Sequence, residues 1–314
     1  MVDYMDVVQA RERVQQYLTP TMLEPAPGLP GRVWLKLENT NRTHSFKIRG
    51  ALNAVLSLDD AARERGIITA SSGNHAQGIA YAAHLTGVKA QVLMPSHTPR
   101  RKVNGVKNLG AEAVLFGLNY DETEAEAHRR AREDDLTYVS PYNDARVIAG
   151  NGTIGLEILE DLPNVRRVIV CAGGGGLVSG IALAIKTHNP QVEVIGVNAL
   201  AAPALYNLRN GTDYPQEWDT LAEALSGDIE AGSLTLDITH RYMDRAVLVE
   251  EYAIEEAIRW LVDVQGWLVE GGGAVGVAAV RSGEIALDEQ PTVIVISGGN
   301  IDGETLRRVL LAED

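Results

Sequence analysis

Short apolar runs alternate with stretches in which apolar residues recur at helical spacing along most of the chain. Runs such as VIVCA and VIVIS lack polar alternation, which is typical of strands buried on both faces. The predicted strands are Val33–Glu38, Gly66–Ala70, Ala90–Pro95, Ala113–Phe116, Arg167–Ala172, Glu193–Asn198, Ala246–Val249 and Thr292–Ser297. The predicted helices are Lys47–Ser57, Asn74–Thr86, Asp121–Asp134, Asn151–Asp161, Leu177–Thr187, Glu251–Gln265 and Ala274–Ser282. This alternation predicts an α/β fold with a mostly parallel sheet.

Length and charge narrow the possible functions. The chain has 314 residues, which is enough for one large domain or two lobes. Its net charge of −14 argues against nucleic acid and anionic membrane surfaces as partners. No apolar stretch reaches the ~18 residues of a membrane span, and the first ten residues lack the apolar region of a signal peptide. A soluble, cytoplasmic protein is therefore expected.

Two further segments have ordinary structural interpretations. The charge-rich segment 119–136 has helical spacing and mixed signs, which predicts a solvated helix. Cys171 is the single cysteine and lies within an apolar run, so it is expected to be a buried core thiol without a disulfide partner in the chain.

A glycine-rich turn between a strand and a helix gives the first candidate for ligand binding. The strand predicted from Arg167 runs into four consecutive glycines, and a helix is predicted to begin near Leu177. Successive glycine N–H groups and the positive end of a helix together favour a phosphate. A tight turn alone requires one or two glycines. A dinucleotide fold is the competing interpretation, but the G-x-G-x-x-G pattern matches poorly here.

Two other turns follow predicted strands in the same way. The segment TASSGNHAQG places Ser71, Ser72 and Asn74 at a helix start, where they either cap its N–H groups or form a pocket for a carboxylate. The segment VIVISGGN ends a buried strand at Ser297. In open α/β sheets, ligands bind beyond the carboxyl ends of strands, so these turns are candidate binding loops.

Lys47 is the candidate nucleophile. It lies between Phe46 and Ile48 at the start of a predicted helix, where a lysine is commonly solvated. In an apolar pocket or near another cation, a lysine amine becomes nucleophilic toward carbonyl groups. The local pattern leaves both interpretations open.

Four segments together resemble one enzyme family. SFKIRGA, SSGNHAQG, GGGGLVSG and SGGN occur in the order found in the fold-type-II pyridoxal-phosphate (PLP) enzymes, specifically the threonine/serine dehydratase and serine racemase family. The resemblance covers nearly the whole chain. It implies two open-sheet α/β lobes, similar to the tryptophan synthase β-subunit, with the cofactor in the cleft between them. The large lobe would comprise residues 1–53 and 143–314, and the small lobe residues 54–142.

The resemblance implies a cofactor site. Lys47 would carry PLP as a Schiff base, Phe46 would pack beside it, and Asn74 would donate to the phenolic oxygen of its ring. Ser297 would meet the pyridine nitrogen. The phosphate would bind the backbone of Gly173, Gly174, Gly175, Gly176 and Leu177.

The resemblance also implies a substrate and a reaction. The loop formed by Ser71, Ser72, Gly73, Asn74 and His75 would bind the substrate carboxylate. Lys47 would remove the α-proton of L-threonine or L-serine, the β-hydroxyl would leave as water, and a 2-oxo acid and ammonia would be released. A neutral serine at the pyridine nitrogen suits such an elimination, because it makes a weaker electron sink than an aspartate would. A homodimer is expected from the family.

Several positions depart from the family pattern. Ser72 stands where many threonine dehydratases have alanine and serine racemases have the base for the opposite face, so it suggests racemase activity. The family's cation ligands correspond to Asn198 and Ala204, which predicts that no metal binds there. The family's A-D-G segment reads Ala222-Glu223-Ala224 and its E-P reads Glu270-Gly271. These last changes favour another β-hydroxy amino acid, such as 3-hydroxyaspartate, as an alternative substrate.

Other functions remain open from the sequence. They are a serine racemase, a β-replacement enzyme, a protein that binds PLP without turnover, and a nicotinamide-binding oxidoreductase. The lysine context SFKIRGA fits the dehydratases better than the β-replacement enzymes.

Overall fold

The computed structural model describes residues 2–311, which form ten strands and thirteen α-helices. The strands are β1 (Leu23–Pro25), β2 (Val33–Leu37), β3 (Ile67–Ala70), β4 (Ala90–Met94), β5 (Glu112–Leu115), β6 (Thr137–Tyr138), β7 (Arg167–Cys171), β8 (Glu193–Ala199), β9 (Arg245–Val249) and β10 (Thr292–Ile296). The helices are α1 (Tyr4–Val14), α2 (Lys47–Leu56), α3 (Asp60–Arg65), α4 (Asn74–Thr86), α5 (Arg100–Asn108), α6 (Tyr120–Glu133), α7 (Ala145–Asp161), α8 (Gly176–His188), α9 (Ala204–Asn210), α10 (Leu234–Tyr242), α11 (Glu251–Asp263), α12 (Gly271–Arg281) and α13 (Gly303–Leu311).

The predicted α/β class is confirmed, and each of the eight predicted strands is present within one residue at either end. Two helices begin more than one residue earlier than predicted. Helix α7 starts at Ala145 because the Asp144 side chain accepts the Arg146 N–H at 2.8 Å, an arrangement that satisfies a free donor at a helix start. Helix α12 starts at Gly271, where glycine allows close backbone packing.

The chain divides into two compact units. The first contains residues up to Thr19 and residues 47–151. Its four strands form a parallel sheet in the order β5-β4-β3-β6. Helices α2 and α4 pack together in its core, where Ile48, Leu52 and Ile79 are fully buried. Full burial of each such side chain stabilises the folded state by about 1.5–3 kcal/mol.

The second unit contains residues 20–46 and the described residues from 152 onward. Its sheet has the order β1-β2-β10-β7-β8-β9, with β1 antiparallel to β2 and the other pairs parallel. Strand β10 lies between β2 and β7, and all five of its residues are buried. That double-sided burial explains the continuous apolar run in its sequence.

The first unit extends beyond the expected small lobe of residues 54–142 at both ends. Helix α1 belongs to it, and the Arg13 guanidinium donates to the Asn53 side chain at 3.2 Å. Asn53 in turn donates to the Arg146 carbonyl at 2.7 Å. These contacts tie residues far apart in sequence to α2, so local composition does not indicate the boundary.

The charge-rich segment forms the solvated helix α6, as predicted. Its Glu126 side chain accepts from Arg129 and Arg130, each at 2.7 Å. These two hydrogen bonds are the largest causes that lower the pKa of Glu126 to about 2. Cys171 is buried, with a free thiol. Within residues 2–311, no helix has the length and apolar character needed to cross a membrane.

Candidate active site

Lys47 is the first residue of α2 and is partly exposed, whereas Ile48 and Arg49 behind it are buried. Its amine donates a hydrogen bond of 2.7 Å to the Pro141 carbonyl. Helix α4 passes close to its backbone, because a Cβ added at Gly78 would lie 3.1 Å from the Lys47 carbonyl oxygen. The lysine is therefore held by its backbone and by its amine.

The loop from Ser71 to His75 connects β3 to α4. Gly73 is the N-cap residue of α4, and no side chain caps this helix. The Ser71 hydroxyl accepts the Gly73 N–H at 3.2 Å instead. The N-cap position falls on a glycine, so none of Ser71, Ser72 and Asn74 is the N-cap residue. The positive end of α4 is thus available to an anion.

His75 is buried within the first turn of α4, at 2% exposure. Its Nε2 lies 3.3 Å from the Val139 carbonyl oxygen. Burial, and then the positive charge of Lys47, lower the pKa of His75 to about 3. The imidazole is therefore neutral near pH 7, and Lys47 is the cation beside it.

The first unit thus brings Lys47 and the Ser71–His75 loop together, as the sequence analysis expected. It also adds the Val139 and Pro141 carbonyls, which the sequence analysis missed. Backbone carbonyls are present at every residue, so no residue type could have signalled them.

The second unit contains the glycine loop after β7. Gly175 adopts φ +86° and is the N-cap of α8, which has no side-chain cap and no acidic residue in its first turn. A Cβ on Gly173 would lie 2.9 Å from Leu225 Cα, and one on Gly175 would lie 2.9 Å from Thr235 Cβ. Glycine is therefore required at both positions for space, and at Gly175 also for its positive φ.

Ser297 follows β10 and is buried. Its carbonyl accepts the Phe46 N–H at 2.9 Å, and its hydroxyl donates to the Gly272 carbonyl at 3.3 Å. Phe46 is buried at 8% exposure in the core of the second unit. The second unit therefore brings Phe46 and Ser297 together.

The segment with the altered A-D-G motif lies against the glycines of α12. A Cβ on Gly271 would lie 2.1 Å from the Leu221 carbonyl oxygen. The Leu221 N–H donates to the Glu251 side chain at 3.0 Å, which anchors this segment. The sequence analysis noted Glu270-Gly271 only as a departure and did not predict this packing. The run of three glycines after Glu270 was the signal that could have indicated it.

Asn198 and Ala204 are the positions at which the sequence resemblance predicts that cation ligands are missing. The Asn198 amide donates to the carbonyls of Ala172 and Ala202. Among the described residues there is no group of three or more histidine, cysteine, aspartate or glutamate side chains that could hold a metal ion.

The chain is similar to several known proteins over almost its full length. A protein named L-threonine ammonia-lyase from Thermotoga maritima is 41% identical over 316 residues, which covers 99% of this chain and 78% of that protein. The solved structure of threonine deaminase isoform 2 from Solanum lycopersicum, in its processed form, is 32% identical, with a TM-score of 0.90, and covers 98% of this chain and 86% of that one. Serine racemase from Dictyostelium discoideum is 31% identical, with a TM-score of 0.89, and covers 96% of this chain and 99% of that one.

The residues fit the cofactor that the sequence resemblance implies. Gly173 and Gly175 lack room for a Cβ, and the α8 start has neither a side-chain cap nor an acid that would repel a phosphate. Lys47 supplies an amine for a carbonyl group. The model of the family described as pyridoxal-phosphate dependent enzyme matches residues 14–298. The chain therefore belongs to the pyridoxal-phosphate dependent enzyme family.

Proposed function

We propose that this protein is an ammonia-lyase that converts L-threonine, L-serine or both to a 2-oxo acid and ammonia by α,β-elimination. The observation that carries the proposal is the 41% identity, over 99% of the chain, to a protein named L-threonine ammonia-lyase. An alignment over 99% of the chain spans the positions of all four sequence motifs of the candidate site.

Each proposed cofactor contact has a physical reason. Lys47 binds the cofactor covalently through its amine. The N–H groups of Gly173–Gly176 and Leu177 hold the phosphate, because the α8 start has no side-chain cap and no acidic residue in its first turn. Ser297 meets the pyridine nitrogen with a neutral hydroxyl, and Asn74 donates to the phenolic oxygen. Phe46 packs against the ring.

Residues of the protein then hold the substrate and remove its α-proton. When bound, PLP supplies an electron sink for the negative charge that develops at the α-carbon. The uncapped α4 start, at Ser71, Ser72, Gly73, Asn74 and His75, holds the substrate carboxylate through backbone N–H groups. The Lys47 amine removes the α-proton. Because His75 is neutral near pH 7, it adds no positive charge beside the Lys47 amine.

The test is cofactor trapping followed by product analysis. Borohydride treatment of the yellow protein should leave PLP on the Lys47 peptide in mass spectrometry, and Lys47→Ala should abolish trapping. Ammonia release is then measured across L-threonine, L-serine and 3-hydroxyaspartate. If 3-hydroxyaspartate is the one compound of the three that is turned over fast, the proposed substrates are wrong. A colourless protein without an adduct would overturn the cofactor assignment.

A serine racemase is the second candidate, and Ser72 is the observation that favours it. This side chain does not cap α4 and is partly exposed, so it is free to act as a base on the second face of the substrate. Chiral chromatography of L-serine incubations is expected to show D-serine with wild type and none with Ser72→Ala. Equal racemisation by both proteins would refute this role.

We further propose that the enzyme works in the cytoplasm as a homodimer, as the family resemblance implies. Its substrate is a small amino acid, and its net charge of −14 disfavours binding to nucleic acid and membrane surfaces. Light scattering on the purified holoenzyme gives the mass in solution, and a monomer at all concentrations would contradict the dimer.

A further inference from the structure

The segment from Val139 to Pro141 connects the buried His75 to the candidate nucleophile. Its Val139 carbonyl lies 3.3 Å from His75 Nε2 and also accepts the Thr69 hydroxyl at 2.8 Å. Two residues later, the Pro141 carbonyl accepts the Lys47 amine at 2.7 Å. All of these residues belong to the first unit.

The protonation of His75 follows from its partner. A carbonyl oxygen only accepts, so Nε2 carries the proton in this contact. Burial lowers the pKa of the imidazole to about 3, so Nδ1 carries none near neutral pH. Nδ1 is itself buried without a hydrogen-bond partner among the described residues. His75 therefore binds this segment through a single donor, its Nε2–H group.

The segment is fixed on both sides of Pro141. Upstream, the Val139 N–H donates to the Ile68 carbonyl at 3.0 Å, which continues the pairing of β6 with β3. Downstream, the Ser140 hydroxyl accepts the Asn143 N–H at 3.1 Å and closes a turn. The Pro141 carbonyl is thus part of a short, fixed segment. Within residues 2–311, the side chains that contact the Val139 carbonyl of this segment are those of Thr69 and His75.

We propose that His75 is a positioning residue for Lys47: through Val139 it fixes the Pro141 carbonyl as the acceptor of the Lys47 amine when that amine is free. The inference rests on the proposed function of Lys47 and adds a role for the His75 side chain, distinct from the proposed binding of substrate by the backbone of its loop. An acceptor that holds the amine in place keeps it oriented for proton transfer and for its return to the cofactor.

The test measures the reactivity of the Lys47 amine directly, without turnover. Cofactor-free, full-length protein is treated with a limiting amount of an amine-reactive reagent at pH 8. Mass spectrometry then gives the labelling rate of Lys47 relative to exposed Lys89. The Pro141 carbonyl engages the amine through its hydrogen bond, so losing the position of that acceptor is expected to raise the labelling of Lys47 by about tenfold.

Four variants separate positioning from general damage. His75→Leu removes the donor and is expected to raise relative Lys47 labelling about tenfold. His75→Gln retains an N–H donor near the Nε2 position and should restore labelling to within about twofold of wild type. Thr69→Val removes the other donor to the same carbonyl with little change in shape, and should raise labelling in the same direction. His84→Leu, at an exposed site on the same helix, should label as wild type.

Three labelling results would overturn the inference. Wild-type labelling in His75→Leu, or equal increases in His75→Leu and His75→Gln, overturns the inference. If His75→Leu does not fold by circular dichroism, Thr69→Val decides, and wild-type labelling there overturns the inference as well. Borohydride trapping of the wild-type holoenzyme is scored separately, so failure to trap PLP on Lys47 counts against the proposed function and not against the positioning of the amine.

Discussion

Replacing Gly78 with alanine tests whether α4 sets the position of Lys47. A Cβ at Gly78 would lie 3.1 Å from the Lys47 carbonyl oxygen and 3.2 Å from its carbonyl carbon, whereas ordinary contacts begin at 3.4 Å. Both neighbours are backbone atoms, so α2 has to shift by roughly 0.3 Å to relieve the contact. The shift would move the backbone of Lys47, whose amine is the proposed nucleophile.

The expected effect is a loss of activity without a matching loss of stability. Alanine in a helix interior is favoured over glycine by about 1 kcal/mol, and overpacking of this size costs about 1 kcal/mol or slightly more. The free energy of unfolding should therefore stay within about 1 kcal/mol of wild type. A misplacement of 1 Å costs about a hundredfold in rate, so a shift of roughly 0.3 Å should lower kcat about fourfold.

The matched control is Gly105→Ala in α5 of the same unit. A Cβ there meets no atom within 4 Å, so the variant should gain about 0.5–1 kcal/mol and keep wild-type kcat. Urea unfolding and steady-state ammonia release measure both quantities. If Gly78→Ala is stabilised as much as Gly105→Ala and turns over at the wild-type rate, the close approach of α4 does not position Lys47.

Four further predictions concern stability, pH, cofactor and metal. Lys36 is fully buried and pairs with Glu157 at 2.8 Å and with Asp161 at 3.3 Å, whose side chains are 8% and 41% exposed. Glu157→Gln should therefore cost about 3–5 kcal/mol and Asp161→Asn less than about 1 kcal/mol; equal losses in urea unfolding would contradict the difference in burial. The pKa of His75 is lowered from 6.5 to about 3 on folding, so the unfolded state binds the extra proton between these values. Stability should fall as pH falls through that window, by at most about 1.4 kcal/mol per pH unit, and His75→Gln should lose this part of the slope. Gly175→Ala, at φ +86° and with its Cβ 2.9 Å from Thr235 Cβ, should weaken PLP binding at least about tenfold in an absorbance titration, whereas Gly211→Ala, at φ +66° in open space, should cost stability only. Magnesium titration should show no binding accompanied by activation, because Asn198 and Ala204, which the sequence resemblance equates with cation ligands, carry no carboxylate.

The strands and binding loops were predictable because their signals are local. A strand buried on both faces requires a continuous apolar run, and β7, β8 and β10 each have one. A turn that approaches a ligand or a neighbouring backbone requires glycine, as at Gly173 and Gly175. These requirements depend on few residues, so the sequence displays them directly.

Other features depend on distant partners and leave no local pattern. Strands β1 and β6 have three and two residues, which is too short for any periodicity. In helix α5 the buried residues are Val103 and Val106, so its sequence shows mostly charged and polar residues and too few apolar positions to predict a helix. The Pro141 carbonyl at Lys47 is a backbone group, and its importance arises from a contact across 94 positions.

The place of β10 in the second sheet affects how the chain folds during synthesis. Thr292 pairs with Val33 on one side and with Arg167 on the other, so this inner strand is made after every other strand of its sheet. Until it emerges from the ribosome, β2 and β7 each present an unpaired edge, a state prone to wrong pairing. Residues 47–151 of the first unit are complete much earlier and are free to fold first. Closing so long a loop makes the second sheet the slow step, and the nascent chain is most exposed to aggregation just before its last strand is added.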